Sequence, residues 1–196
     1  MAERELNAGD WRRYGRQEFP QAAWSVDGNV LHAVAAGEKL DLISRERFRD
    51  FTLLFDWRLP RGGNTQVLVR VDESAGPAAH TGPALQLLDD EHHPEGTDAL
   101  TSCGALYGVM APWLDHRRAA NTFHAARIVM SGPRIEYWID DHQVLGCDLA
   151  SEDLKERIGR SRFRDYPQFA RAPEGHIVLR HCGTEVWFRR LRLETA

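Results

Sequence analysis

The sequence predicts an all-β protein, two antiparallel sheets stacked as a sandwich, with one short helix. Three observations carry that expectation. Short stretches alternate apolar and polar residues with a period of two, clusters of Gly, Pro, Asn and Asp punctuate them, and one stretch alone has the capping pattern of a helix. About a dozen short strands joined by long connections fit a closed sandwich.

In chain order, residues 1 to 20 are polar, with Trp11, Tyr14 and Phe19 interspersed, and Pro20 closes them. Three aromatics are too many for an exposed tail, so this segment is expected to be an arm packed on a single domain spanning 1–196. Trp24 onwards reads as a hairpin: WSV, a turn at Asp27-Gly28-Asn29, then VLHAV. From Phe51 to Leu59 every odd position is apolar, while Thr52, Asp56 and Arg58 point the other way, as a half-buried antiparallel strand requires. Pro60 to Asn64 turns the chain into Thr65 to Val71, where Val67, Val69 and Val71 are expected on one face and Gln66, Leu68 and Arg70 on the other.

The next strand is TGPALQLLDD, Thr81 to Asp90, with Leu85 and Leu87 on one face, Gln86 on the other and Asp89 just past its end. A long charged loop, Asp89 to Thr101, follows, and loops of that length are usually functional or mobile. Phe123 to Met130, Arg134 to Ile139 and Gln143 to Cys147 form a meander. Ser151 to Ile158 is the helix, with Ser151 as N-cap and Glu152 and Asp153 in its first turn. His176 to Cys182 and Glu185 to Leu193 close the chain as strands.

Composition excludes several function classes. The net charge is -4, from 25 basic and 29 acidic residues, which gives no field for holding phosphate backbones, so nucleic acid is not an expected partner. No apolar run approaches membrane-spanning length, and the N-terminus carries acidic residues where a signal peptide needs an apolar core. Cys103, Cys147 and Cys182 are odd in number and lack C-x-x-C spacing, so reduced thiols and a cytoplasmic location are expected. Nothing in the sequence fixes an oligomeric state.

Taken together, WSVDGNVL, DLIS, FRDFTLLFDWRLPRGGN, TGPALQLLDDEHHP, GALYGVMAP, ARIVMSGPRIEYWID and GHIVLRHCGTEVWFRRLRL resemble the 3-keto-disaccharide hydrolase domain family, in order from about Trp24 to Leu193. The resemblance implies a concanavalin A-like jelly-roll sandwich and activity on glycosides whose C3 hydroxyl has been oxidised to a ketone. Such a ketone acidifies the C2 hydrogen. A base can then remove that proton while the glycosidic oxygen leaves C1, which calls for a base, an acid and a group to hold the enolate oxygen. This chain departs from the family at polar positions: Ala84 stands where the family's G-P-E-x-Q-x-x-D has glutamate, and its L-Q-D-H-G becomes Leu179, Arg180, His181, Cys182, Gly183.

On this basis Asp89 and His124 are the candidate acid/base residues, against a loop-capping Asp and a structural His as the plainer alternatives. Arg70, Gln86 and Arg180 are the candidate substrate-positioning groups, and an ordinary surface ion pair is the alternative for either arginine. Trp138 and Trp187, outward by strand parity, are candidates to stack on a sugar ring or else pack under loops. No cofactor is predicted. His92 and His93 beside Asp89, Asp90 and Glu91 could ligate a divalent metal, but their spacing matches no established site and none is indicated. The expected ligand is a small carbohydrate or glycoside, either cleaved or, in the competing reading, bound without catalysis.

Overall fold

The computed structural model describes residues 2–35, 37–113 and 117–195. Within them the chain forms thirteen strands: β1 (Ala2–Glu5), β2 (Trp11–Arg13), β3 (Trp24–Asp27), β4 (Val30–Ala33), β5 (Leu42–Ser44), β6 (Phe51–Arg58), β7 (Asn64–Val71), β8 (Ala84–Leu88), β9 (His124–Ser131), β10 (Arg134–Ile139), β11 (His142–Asp148), β12 (His176–Leu179) and β13 (Val186–Thr195). One α-helix, α1, covers Glu152–Arg160. Two antiparallel sheets result. Sheet A runs β11-β10-β9-β6-β13-β4-β3, with β1 also paired to β13, and sheet B runs β2-β5-β12-β7-β8.

The alternation read from the sequence sets the faces. Phe51, Leu53, Phe55 and Trp57 of β6 point between the sheets, as do Val67 and Val69 of β7, Leu85 and Leu87 of β8, and Ile177 and Leu179 of β12. Trp11, Trp24, Trp57, Tyr137 and Phe188 are the bulkiest side chains of this core and are almost wholly buried. At roughly 1.5–3 kcal/mol for each large apolar side chain removed from water, the inward faces supply the main drive for stacking the sheets. A second, smaller apolar cluster (Ile43, Leu68, Val71, Ala78, Ala84 and Val178) lies on the outer face of sheet B, under the connection from β7 to β8.

Ser151 caps α1 as expected, its Oγ accepting from Leu154 N–H at 3.2 Å, and the helix runs two residues beyond the stretch read from the sequence. Residues 1–20 do more than pack as an arm: they give β1 to sheet A and β2 to sheet B. Four residues and three residues are too short for periodicity to reveal.

Parity fails at one place that bears on function. The pairing of β7 with β12 slips by one residue, from Leu68 opposite Val178 to Val71 opposite His176, and Arg70 sits within the slip at φ 49°. This bulge returns Val71 to the outer face and turns Arg70 away from Gln66. Gly175 makes room for it, since a Cβ there would stand 2.4 Å from the Arg70 carbonyl carbon.

Candidate functional site

The outer face of sheet B carries a line of polar side chains around a cavity of about 170 Å³. Gln66 and Gln86 face each other in register, both buried, and Gln66 Nε2 donates to Gln86 Oε1 at 2.9 Å. Arg180, just past β12, donates from Nη1 to Gln66 Oε1 at 2.8 Å, while its Nε lies 3.6 Å from the Asp41 carboxylate. Burial raises the Asp41 pKa, opposed chiefly by Arg180, so each group orients the other.

Past Gln86 the line continues onto loops. The Glu95 carboxylate lies 3.5 Å from Gln86 Nε2 through Oε2 and accepts the Tyr107 hydroxyl at 2.7 Å through Oε1. Arg162 in turn donates to the Tyr107 oxygen at 2.7 Å and covers its ring. A continuous chain of polar groups therefore runs Arg180–Gln66–Gln86–Glu95–Tyr107–Arg162, of which Arg180, Gln66, Tyr107 and Arg162 line the cavity. Burial first, then the bond to Glu95, raise the Tyr107 pKa, so the phenol keeps its proton and can donate it.

Glu95 is held by its own loop. It opens a short 3-10 turn, Pro94–Thr97, whose N-cap His93 accepts from Glu95 N–H at 3.1 Å, and the Thr101 hydroxyl donates to the Glu95 carbonyl at 2.7 Å. Gly96 is needed where the turn crosses Asp90, because a Cβ there would lie 2.2 Å from the Asp90 carbonyl oxygen. Ala84 lines the cavity, and the Glu95 carboxylate of the following loop stands behind Tyr107, which lines it too.

The residues proposed from the sequence divide. Gln86 and Arg180 are brought together here. Asp89 is not: its Oδ2 accepts from Gly62 N–H at 2.8 Å and from His92 Nδ1 at 2.9 Å, and its Oδ1 accepts from Glu91 N–H. Burial pushes its pKa up, but these donors outweigh burial and leave it lowered, the signature of a carboxylate fixed as a loop cap. His124 belongs to sheet A, between Asp140 Oδ2 and the Ala119 carbonyl, with its ring against Trp57. Arg70 sits where the bulge puts it. Its guanidinium donates to the carbonyls of Arg49 and Gly132, the latter at 2.6 Å, and clamps two loops together.

Trp138 and Trp187 lie on the outer face of sheet A, away from this cavity. Trp187 is closed to a sugar, because His32 stacks on its ring with centroids 4.5 Å apart and the Arg58 guanidinium lies 4.0 Å from its centroid. Two groups that close occupy opposite faces of the ring. His92 and His93 are both engaged within their loop, and no group of three or more His, Cys, Asp or Glu among the described residues is arranged to hold a metal ion.

Tyr107 and Arg162 line the cavity and Glu95 adjoins it through Tyr107. Tyr107 lies in GALYGVMAP, one of the stretches that carry the family resemblance, whereas Glu95 has no signal beyond its place in a long loop. The loop from Asp89 to Thr101, already notable for its length and charge, was the pointer to Glu95.

A family model for the 3-keto-alpha-glucoside-1,2-lyase-like domain matches residues 4–194. A 3-keto-disaccharide hydrolase from Bacteroides thetaiotaomicron is 22% identical over 214 residues, covering 94% of this chain and 73% of that protein. The crystal structure of a candidate glycosyl hydrolase from Parabacteroides distasonis superposes with a TM-score of 0.88 at 20% identity, over 97% of this chain and 90% of the other. The carbohydrate-binding module CBM66 from Bacillus subtilis superposes with a TM-score of 0.60 at 13% identity, over 95% and 96% of the two chains. The fold expected from the sequence, a concanavalin A-like sandwich, is the one these structures share.

Proposed function

Because this chain belongs to the 3-keto-alpha-glucoside-1,2-lyase-like family, we propose that it cleaves the glycosidic bond of a 3-keto-glycoside in the cavity on the outer face of sheet B. The observation that supports this most is the placement of the Glu95 carboxylate between Gln86 and the Tyr107 hydroxyl.

Each group has a role its chemistry suits. Glu95 takes the C2 proton, acidified by the C3 ketone. The electron pair left at C2 forms the C1–C2 double bond as the C1–O bond breaks, and Tyr107, still protonated, gives its proton to the departing oxygen. Arg162 and Arg180, at the two ends of the polar chain, balance the negative charge that gathers on the C3 oxygen. Gln66, which lines the cavity and is fixed by Gln86 and Arg180, faces the sugar. Water added later across the new double bond gives the free 3-keto sugar.

Release of aglycone from a panel of α- and β-linked 3-keto-glycosides tests the reading. Glu95→Gln preserves the shape of the side chain and is expected to lower kcat by about 10²–10⁴-fold, the usual worth of general acid–base catalysis. Unchanged turnover would remove Glu95 from the mechanism. The absence of a carboxylate at Ala84 favours one second reading, a sandwich that binds the sugar without cleaving it; saturable binding with no turnover by the wild type would establish that reading instead.

A further inference from the structure

A depression of about 270 Å³ opens at the end of the sandwich where β6, β10 and β12 begin. It shares no lining residue with the cavity on sheet B. Its charged lining residues are Arg49, Arg70 and Arg171 against a single acid, Asp50, so three guanidinium groups less one carboxylate leave a surplus of two positive charges. Leu149, Pro133 and Pro173 give it an apolar wall.

The one acid is already engaged. Asp50 Oδ1 accepts from Gly132 N–H at 2.7 Å and stands 3.4 Å from Arg70 Nη2. Arg70 is 5% exposed and spends Nε and Nη2 on the carbonyls of Arg49 and Gly132. Its Nη1 has no acceptor among the described residues and is not sealed from solvent, so one donor of a buried guanidinium is left over. Arg49 and Arg171 are exposed, and neither side chain forms a hydrogen bond or ion pair with a described residue. Glu152 of α1, close enough to feel the Arg171 charge, is held by Lys155 at 2.6 Å. Burial lowers the Arg70 pKa; Asp50 opposes this, and the charge of Arg49 adds to it. Two guanidinium groups therefore repel each other across the depression.

The backbone brings these groups together at a cost. The bulge that turns Arg70 away from Gln66 leaves it at φ 49° on this border, and Ala170, beside Arg171, adopts φ 58° with its N–H bonded to the Thr81 carbonyl at 2.8 Å. The left-handed conformation is unfavourable for a residue with a Cβ, and such residues gather where a ligand is held.

We infer that this depression binds a phosphate monoester. The dianion, with a charge of about −1.5 to −2 at neutral pH, matches the surplus of the lining. Arg70 Nη1 and the planar donors of Arg49 and Arg171 take its oxygens, and the apolar wall takes the organic group. The site is independent of the glycoside cleavage proposed above.

Calorimetric titration of the full chain with phenyl phosphate, phenyl sulfate and inorganic phosphate tests it. Saturable binding of phenyl phosphate at one site is expected. Phenyl sulfate has the same shape with one charge, and inorganic phosphate has the charge without the organic group; each is expected to bind at least about tenfold more weakly. Arg49→Gln and Arg171→Gln, both at exposed positions, should melt as the wild type does and should each weaken phenyl phosphate by about tenfold, as loss of one charge-assisted contact implies. Arg162→Gln, in the other cavity, should leave that binding unchanged. No saturable binding, equal binding of phenyl sulfate or of inorganic phosphate, binding that survives either Arg49→Gln or Arg171→Gln unweakened, or binding lost in Arg162→Gln would each overturn the proposal.

Discussion

Gln66 of β7 and Gln86 of β8 stand directly opposite one another on the outer face of sheet B, and a buried side-chain hydrogen bond of 2.9 Å joins them. Neither amide can turn to water. Replacing Gln86 by Leu strands the Gln66 amide, and an unsatisfied buried polar group costs about 1–3 kcal/mol. Chemical denaturation should show that loss for Gln86→Leu, and a smaller loss for the double variant Gln66→Leu/Gln86→Leu than the two single losses summed.

Tyr107 gives a pH signature. Burial, and then the neighbouring Glu95 carboxylate, raise its pKa, so the phenol is protonated throughout the neutral range and deprotonates only above the ordinary tyrosine value of about 10. If Tyr107 is the proton donor, kcat falls on the alkaline side at a pH above that value. Tyr107→Phe should lower kcat by about 10²–10⁴-fold and abolish that limb, measured as a pH–rate profile on a 3-keto-glycoside.

Asp89 acts through the loop that it caps. Its folded-state pKa lies below its unfolded value, so the stability it contributes is present above the unfolded pKa of about 3.9 and is lost as pH falls through the folded pKa. Asp89→Asn should lower stability at neutral pH by about 1–3 kcal/mol. The difference from wild type should shrink as the solution is acidified below about pH 4, measured by thermal melts across pH. Because the same loop carries Glu95, kcat should fall as well, without a change in the pH of the alkaline limb.

Arg70 is a clamp. Arg70→Met leaves the carbonyls of Arg49 and Gly132 without their donor and should destabilise the fold by about 1–3 kcal/mol. KM for a 3-keto-glycoside should not move, because Arg70 lies outside the cavity lining. A raised KM with unaltered stability would contradict this placement.

The sequence alone determined the sandwich. Period-two alternation in Phe51–Arg58, the turn at Gly28 between Trp24 and Ala33, and the capping residue Ser151 are local properties, fixed by which side a strand presents and which donors a helix leaves open. Parity also placed Gln86 and Arg180 outward; Arg180 reaches the cavity, and Gln86 holds Gln66, which lines it. The tertiary structure decided the rest. Glu95, Tyr107 and Arg162 come from segments with no period, and only loop closure brings them to Gln86. Arg70 shared a parity with Gln66, but a one-residue bulge at φ 49° reverses a face while leaving no trace in the alternation. Asp89 has the residue type of an acid catalyst, yet the donors of Gly62 and His92 make it a cap. Alternation reports the face on which a residue starts; the neighbours that consume its lone pairs and protons are set by chain crossings between segments distant in sequence.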